Sequence, residues 1–168
     1  MNIAGINPNA TGPYDGVAYE IYVSGCSLHC KNCHNPELQW FDYGTDWKEM
    51  RDQVAADLLD MKGWYDCIAI LGGDLLSQDR VIAKKFIEDL KIMTPVPFWL
   101  FTGYDVDKIP KWVWQYFDVV KYGPYVEELK QEGFPASSNQ RLWRKTDAWR
   151  KRRIIRFRGA HPNLFSPR

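Results

Sequence analysis

Strand, helix, strand, helix, strand, helix, strand is the order that runs from Val17 to Tyr122 of this 168-residue chain. That order predicts an α/β protein with a mainly parallel sheet. Three features carry the prediction. Cys67–Leu71 and Phe98–Phe101 are short, wholly apolar runs, as buried parallel strands require. Between them, apolar residues recur at helical spacing. A glycine or proline turn follows each strand directly. Four parallel strands are too few for a complete eight-stranded barrel, so an open or partial βα barrel is expected. The length suits one domain, and 45% apolar residues can build its core without disulfide staples.

Taken in order, residues 1–16 are rich in turn formers (Asn7-Pro8-Asn9, Thr11-Gly12-Pro13) and read as a loop. Val17–Val23, with β-branched and aromatic residues, reads as the first strand. After the turn Gly44-Thr45-Asp46, a helix is expected from Trp47 to about Met61. Asp46 caps it, Glu49 completes a capping box, and Val54, Leu58 and Met61 face the core. The strand Cys67–Leu71 ends in Gly72-Gly73-Asp74. A second helix follows from about Asp79 to Met93, with Ile82, Phe86, Leu90 and Met93 as its apolar stripe. Pro95 and Pro97 stop it, Phe98–Phe101 is the next strand, and Thr102-Gly103-Tyr104 closes that strand. Pro110 opens a short helix through Trp112 to Phe117, before a strand at Asp118–Tyr122 and the turn Gly123-Pro124.

From Arg144 to Arg158 the composition turns basic, with almost no acidic residues. We therefore expect a core domain over residues 1–143 and a basic C-terminal extension over 144–168, ending in a loosely held tail from His161. The net charge of +1 gives no global pull toward nucleic acid. The run Arg150-Lys151-Arg152-Arg153 can neutralise phosphates, but reads first as a solvated terminal face, or as a dock for an acidic partner surface. No stretch approaches about 18 consecutive apolar residues, so no membrane span is expected. The N-terminus lacks a basic region followed by an apolar stretch. A cytoplasmic, reducing location is the expectation, and there clustered cysteines read as metal ligands.

Three of the four cysteines lie in one array, Cys26-x3-Cys30-x2-Cys33, directly after the first strand. Two chemistries compete for it. Three thiolates can hold three irons of a [4Fe-4S] cluster and leave the fourth iron open. Alternatively, they join His29 or His34 in a tetrahedral Cys3His zinc site. Gly72-Gly73-Asp74, one βα unit further on, falls at the same end of the sheet. Two glycines let backbone approach a ligand closely, and a following carboxylate can take an ammonium group. Cys67 begins a buried strand and reads as a core thiol. Trp112 and Trp114 read as packing, and His29 as a loop residue beside a ligand.

The array, followed by His34-Asn35-Pro36, resembles radical S-adenosylmethionine (SAM) enzymes, in particular the activases of glycyl-radical enzymes. Gly72-Gly73-Asp74-Leu75-Leu76, Thr102-Gly103-Tyr104, Gly123-Pro124-Tyr125-Val126-Glu127-Glu128-Leu129 and Ser137-Ser138-Asn139-Gln140 narrow the resemblance to the anaerobic ribonucleoside-triphosphate reductase activating proteins. Two departures stand out. Gly12-Pro13-Tyr14-Asp15-Gly16 replaces the family's glycine-proline-glycine turn and arginine, and Leu75 stands where a proline is usual.

The resemblance implies a radical SAM oxidoreductase with a partial barrel of that type. Cys26, Cys30 and Cys33 would hold a [4Fe-4S] cluster. Gly72, Gly73 and Asp74 would hold the ammonium end of SAM, and the backbone of Asn32, Cys33 and His34 would lie against its adenine. No catalytic residue beyond cluster and SAM is implied. The partners would be the catalytic subunit of an anaerobic ribonucleotide reductase and a low-potential electron donor of flavodoxin or ferredoxin type, with neither membrane nor nucleic acid. The rival readings are a small radical SAM enzyme of the deazapurine-forming synthase type and a zinc-stabilised nucleic-acid-binding module.

Overall fold

The computed structural model describes residues 1–145. The stretch from Thr146 to Arg168, with most of the expected basic extension and the tail at His161, lies outside the described residues. Seven strands form one open sheet: β1 (Asn2–Thr11), β2 (Val17–Val23), β3 (Thr45–Asp46), β4 (Cys67–Gly72), β5 (Phe98–Phe101), β6 (Val119–Tyr122) and β7 (Arg141–Arg144). Their spatial order is β3-β1-β2-β4-β5-β6-β7. The four strands β2, β4, β5 and β6 are parallel neighbours, as the apolar runs predict. The helices α1 (Trp47–Asp60), α2 (Arg80–Met93) and α3 (Lys111–Tyr116) cross from each to the next.

The flanks correct the expectation of a mainly parallel sheet. β1 pairs antiparallel with β2 and β3, and β7 pairs antiparallel with β6. Residues 1–16 are thus not a loop for most of their length. The turn formers Asn7-Pro8-Asn9 sit where the β1–β2 register shifts between Asn7 and Ala10, and proline is at home in such an irregularity. β7 ends one residue past Trp143, at Arg144. Arg144 places its guanidinium 4.9 Å from the Trp99 ring centre and pairs with Asp15 at 3.1 Å.

Side chains alternate across the pleat, so the parallel strands show two different faces. Tyr19, Ile21 and Val23 of β2, Ile68 and Ile70 of β4, Phe98 and Leu100 of β5, and Val120 of β6 are buried in one core with the helices. α1 supplies Val54 and Leu58, and α3 supplies Trp112 and Val113. On α2 the buried stripe is Ala83, Phe86, Ile87 and Leu90, whereas Ile82 is exposed, one position off the expected face. Asp46 caps α1 through the Lys48 amide, and Asp79 caps α2 through the Val81 and Ile82 amides. The opposite face carries Ala18, Cys67, Ala69, Trp99 and Val119, covered by Tyr14, whose ring centre lies 5.1 Å from that of Trp99.

Candidate metal centre and its rim

All the loops that build the site leave the C-terminal ends of the parallel strands, where α/β proteins place their sites. The loop after β2 holds Cys26, Cys30 and Cys33, each a half-buried free thiol. Two non-glycine residues in it adopt left-handed backbone, His29 (φ 46°) and Asn32 (φ 57°). Each stands immediately before a cysteine, so the chain turns sharply ahead of Cys30 and again ahead of Cys33. The far end of the loop docks on the segment after β6. The His34 ring meets Tyr125 with centres 6.1 Å apart.

The loop after β4 passes directly beneath. Gly73 N donates to Val23 O at 2.7 Å and Asp74 N to Gly25 O at 3.0 Å. Gly25 N and Cys26 N donate in turn to Leu38 O and Gln39 O, at 2.8 and 3.1 Å. This crossing explains the two glycines. Gly72 has φ +104°, and a Cβ on Gly73 would stand 2.7 Å from both Gly25 O and Leu38 O.

Asp74, only 2% exposed, ties this loop to the one after β5. Its Oδ1 accepts from Leu76 N at 2.9 Å, its Oδ2 from Gly103 N at 2.8 Å, and Thr102 Oγ1 lies 3.0 and 2.9 Å from the two oxygens. Burial raises its carboxyl to about 6, against these hydrogen bonds and the charge of Lys121, which pull it down. Both oxygens are thus already engaged within the rim. The sequence suggested a carboxylate turned to a ligand, and the geometry shows a clamp between two loops.

Lys121 on β6 was not foreseen. Its carbonyl accepts from Thr102 N at 2.9 Å, while its side chain emerges on the face opposite the helices. Burial lowers its ammonium to about 8, opposed by the charges of Asp74 and Cys30. The one sequence signal was a lysine in a strand that parallel burial makes apolar. Lys121 belongs to a row across the sheet with Tyr22, Leu71 and Phe101, all half-buried. Below that row lies Glu20, 8% exposed, which accepts from Tyr14 OH and Tyr22 OH at 2.8 Å each and from Asn7 Nδ2 at 3.3 Å. Asn139 and Gln140 hold the Gly123-Pro124 turn, through Pro124 O at 2.8 Å and Gly123 O at 3.1 Å.

The donor set separates the two metal chemistries. Burial first, then the charges of Asp74 and Cys30, raise the Cys26 thiol, while the Leu28 amide and the Ser77 hydroxyl favour its thiolate. Thiolates at a rim that also holds a buried carboxylate need compensating positive charge, which a bound metal supplies. Among the described residues, no three His, Cys, Asp or Glu side chains converge closely enough to hold one metal ion. His29 turns to Gln39, with Nδ1 3.2 Å from Oε1, and His34 turns to Tyr125. A cubane needs no such convergence, because each thiolate meets a different iron. Three cysteines without a histidine fit a cluster better than a Cys3His zinc ion. Cys67 lies buried at the far end of β4, opposite Ala18, whereas the rim begins beyond Val23 and Gly72.

The sequence profile of the 4Fe-4S single cluster domain matches residues 12–143. An anaerobic ribonucleoside-triphosphate reductase-activating protein of Vibrio cholerae serotype O1 is 29% identical over 139 residues, covering 78% of this chain and 90% of its own length. A protein of the same name from Escherichia coli K12 is 29% identical over 133 residues, 74% of this chain and 86% of its own. A third, from Enterobacteria phage T4, is 29% identical over 142 residues, 79% of this chain and 86% of its own.

Proposed function

Because the chain belongs to the 4Fe-4S single cluster domain family, we propose that it is a radical SAM activase that installs a glycyl radical on an anaerobic ribonucleotide reductase. The observation that carries the reading is the rim itself. Three half-buried free thiols and the Gly72-Gly73-Asp74 turn come from different strands and are joined there by backbone hydrogen bonds. The relatives' names supply the partner, a ribonucleoside-triphosphate reductase. The confinement of all three helices to one face supports the partial-barrel reading, since a barrel leaves its other face as the interior. No helix among the described residues is long and apolar enough to cross a membrane. A cytoplasmic site of action is part of the proposal.

Cys26, Cys30 and Cys33 would hold the cluster, and SAM would bind beside it against the Gly72-Gly73 turn. When bound, the cluster and SAM would supply low-potential reductive cleavage, and with it the radical chemistry that a reductase glycine needs. The chain's own residues orient and shield. An ammonium needs acceptors, which the Gly72 and Gly73 carbonyls provide at the end of β4. Asp74 holds their turn in shape through Thr102, Gly103 and Leu76, and the backbone of Asn32, Cys33 and His34 would border the adenine. A ferredoxin or flavodoxin would deliver the electron. Residues beyond Lys145 would serve docking on the reductase rather than the chemistry.

Anaerobic reconstitution tests this reading. The full chain should take up about four irons, and after reduction should cleave SAM and give a glycyl-radical signal on the reductase. Cys26→Ala, Cys30→Ala and Cys33→Ala should each stay folded and lose iron and cleavage together, while Cys67→Ala keeps both. Full iron content in any of the three rim variants would sink the ligand assignment. A reduced, iron-loaded chain that leaves SAM intact would sink the activity.

A further inference from the structure

Exposed apolar side chains flank the cysteine loop on both sides. On one side, the segment that follows the loop carries Trp40, Phe41 and Tyr43, all exposed, with Trp40 at 69%. That segment is fixed to the loop, since Gly25 N and Cys26 N donate to Leu38 O and Gln39 O. The Phe41 ring also lies against Gly25, where a Cβ would collide with it. On the other side, the connection from β6 to β7 carries the exposed Leu129 and Phe134. Tyr125 fixes this connection to the loop through His34. A single exposed apolar residue is ordinary, but aromatic residues gathered at the edge of a site mark a contact surface.

Both flanks carry an excess of negative charge. Beside the aromatics, Glu37 and Asp42 are exposed and form no ion pair among the described residues. No lysine or arginine occurs from Asn32 to Trp47. On the other flank Glu128 and Glu132 are exposed, and Lys130 is the single cation from Gly123 to Phe134. Such a surface is complemented by apolar groups ringed with lysine and arginine. A partner that touches both flanks must also cover the cysteine loop between them. An electron can cross a gap between proteins, but a hydrogen atom passes only between groups in contact. The occupant is therefore the protein that gives up hydrogen, not the one that delivers the electron.

We propose that Trp40, Phe41 and Tyr43 on one flank, with Leu129 and Phe134 on the other, form the docking surface for the catalytic subunit of the reductase, and that a basic face of that subunit straddles the cysteine loop. The inference rests on the activase function proposed above and adds where the partner is held. Trp40 is the main anchor, because a large, exposed indole gains most from being covered. Glu37 and Asp42 steer the approach, so their effect is on the rate of association and falls with salt.

The test is anaerobic biolayer interferometry between reconstituted full-length protein and the reductase catalytic subunit, at low and high salt. Trp40→Ser should weaken binding by at least about tenfold and Leu129→Ser by roughly threefold, while Trp40→Phe keeps most of the affinity. Asp42→Lys should weaken binding at low salt and approach the wild type at high salt. All four variants should keep wild-type iron content and cleave SAM with dithionite as reductant. Wild-type affinity in either Trp40→Ser or Leu129→Ser would overturn the proposal. So would activation that fails only when a ferredoxin or flavodoxin replaces dithionite, which would assign the surface to the electron donor. A wild-type dimer that Trp40→Ser splits in sedimentation would overturn it too, in favour of a second copy of this chain. Iron loss in both Trp40→Ser and Asp42→Lys would reduce the segment to a clasp on the loop and end the docking role. Wild-type protein that cleaves SAM but binds no reductase would remove the proposed function as well.

Discussion

The same four strands present two faces of opposite character. Toward the helices they show Tyr19, Ile21, Val23, Ile68, Ile70, Phe98, Leu100 and Val120, all buried with large apolar neighbours. Away from them they show Ala18, Cys67, Ala69, Trp99 and Val119 under Tyr14, with Glu20 beside Ala69, and then the half-buried row of Tyr22, Leu71, Phe101 and Lys121. Glu20 is tolerated because three donors satisfy it. The period of two in a strand lets one backbone serve stability on one side and polar chemistry on the other. Changes on the first face should therefore cost stability with little effect on the site, and changes on the second the reverse.

The largest expected effect on stability lies on the helical face. Phe86 is 1% exposed and packs edge-on against Trp47 with ring centres 4.8 Å apart, so Phe86→Ala should cost about 3–5 kcal/mol. Urea unfolding measures it, with iron uptake per folded molecule unchanged. A loss below about 1 kcal/mol would show that this face is not the main core.

Asp74 stands at the rim where the two faces meet, and Asp74→Asn should act on both. An amide presents an NH2 group where the Gly103 or Leu76 amide needs an acceptor, which costs about 1–3 kcal/mol. SAM affinity should fall by roughly tenfold as the Gly72-Gly73 turn relaxes, about 1.4 kcal/mol. Iron content should hold. Calorimetric titration of the reduced protein settles the point, and wild-type SAM affinity would detach Asp74 from the site.

The smallest effect belongs to Lys121, and it depends on pH. Its folded value is lowered to about 8 from the ordinary 10.5, so between those limits the unfolded chain holds a proton that the folded chain has lost. Its contribution to stability therefore rises with pH across that window, and below pH 8 the buried ammonium opposes folding. Lys121→Met should stabilise the metal-free chain near neutrality and lose that advantage by about pH 10.5. A difference between the two proteins that stays flat over pH 7–11 would contradict the burial argument.

The parallel centre was legible in the sequence because burial on both faces leaves nothing but apolar runs, and Cys67–Leu71 is such a run. β1 was not. Gly5, Asn7, Pro8 and Asn9 carry turn chemistry, and only pairing with β2 and β3, which no local pattern announces, makes that stretch a strand. The cysteine array and the Gly-Gly-Asp turn were legible as spacing and composition. What they do to each other was not, because Asp74 finds its partners 28 and 29 residues away. On α2, Ile82 fits the helical period, yet its place in the first turn leaves it outside the packed stripe. The meeting of the Ser27, Ser77 and Tyr104 hydroxyls at 3.1, 3.0 and 3.3 Å left no trace in the sequence, since hydroxyl residues in loops are ordinary.

The span of those hydroxyl contacts sets a clock. Ser27 and Tyr104 are 77 residues apart, with Ser77 between them. At about 5–20 residues per second, Cys26, Cys30 and Cys33 leave the ribosome on the order of ten seconds before Tyr104 exists to close over them. For that interval the three thiols belong to an unfinished rim, open to oxidant and to stray metal.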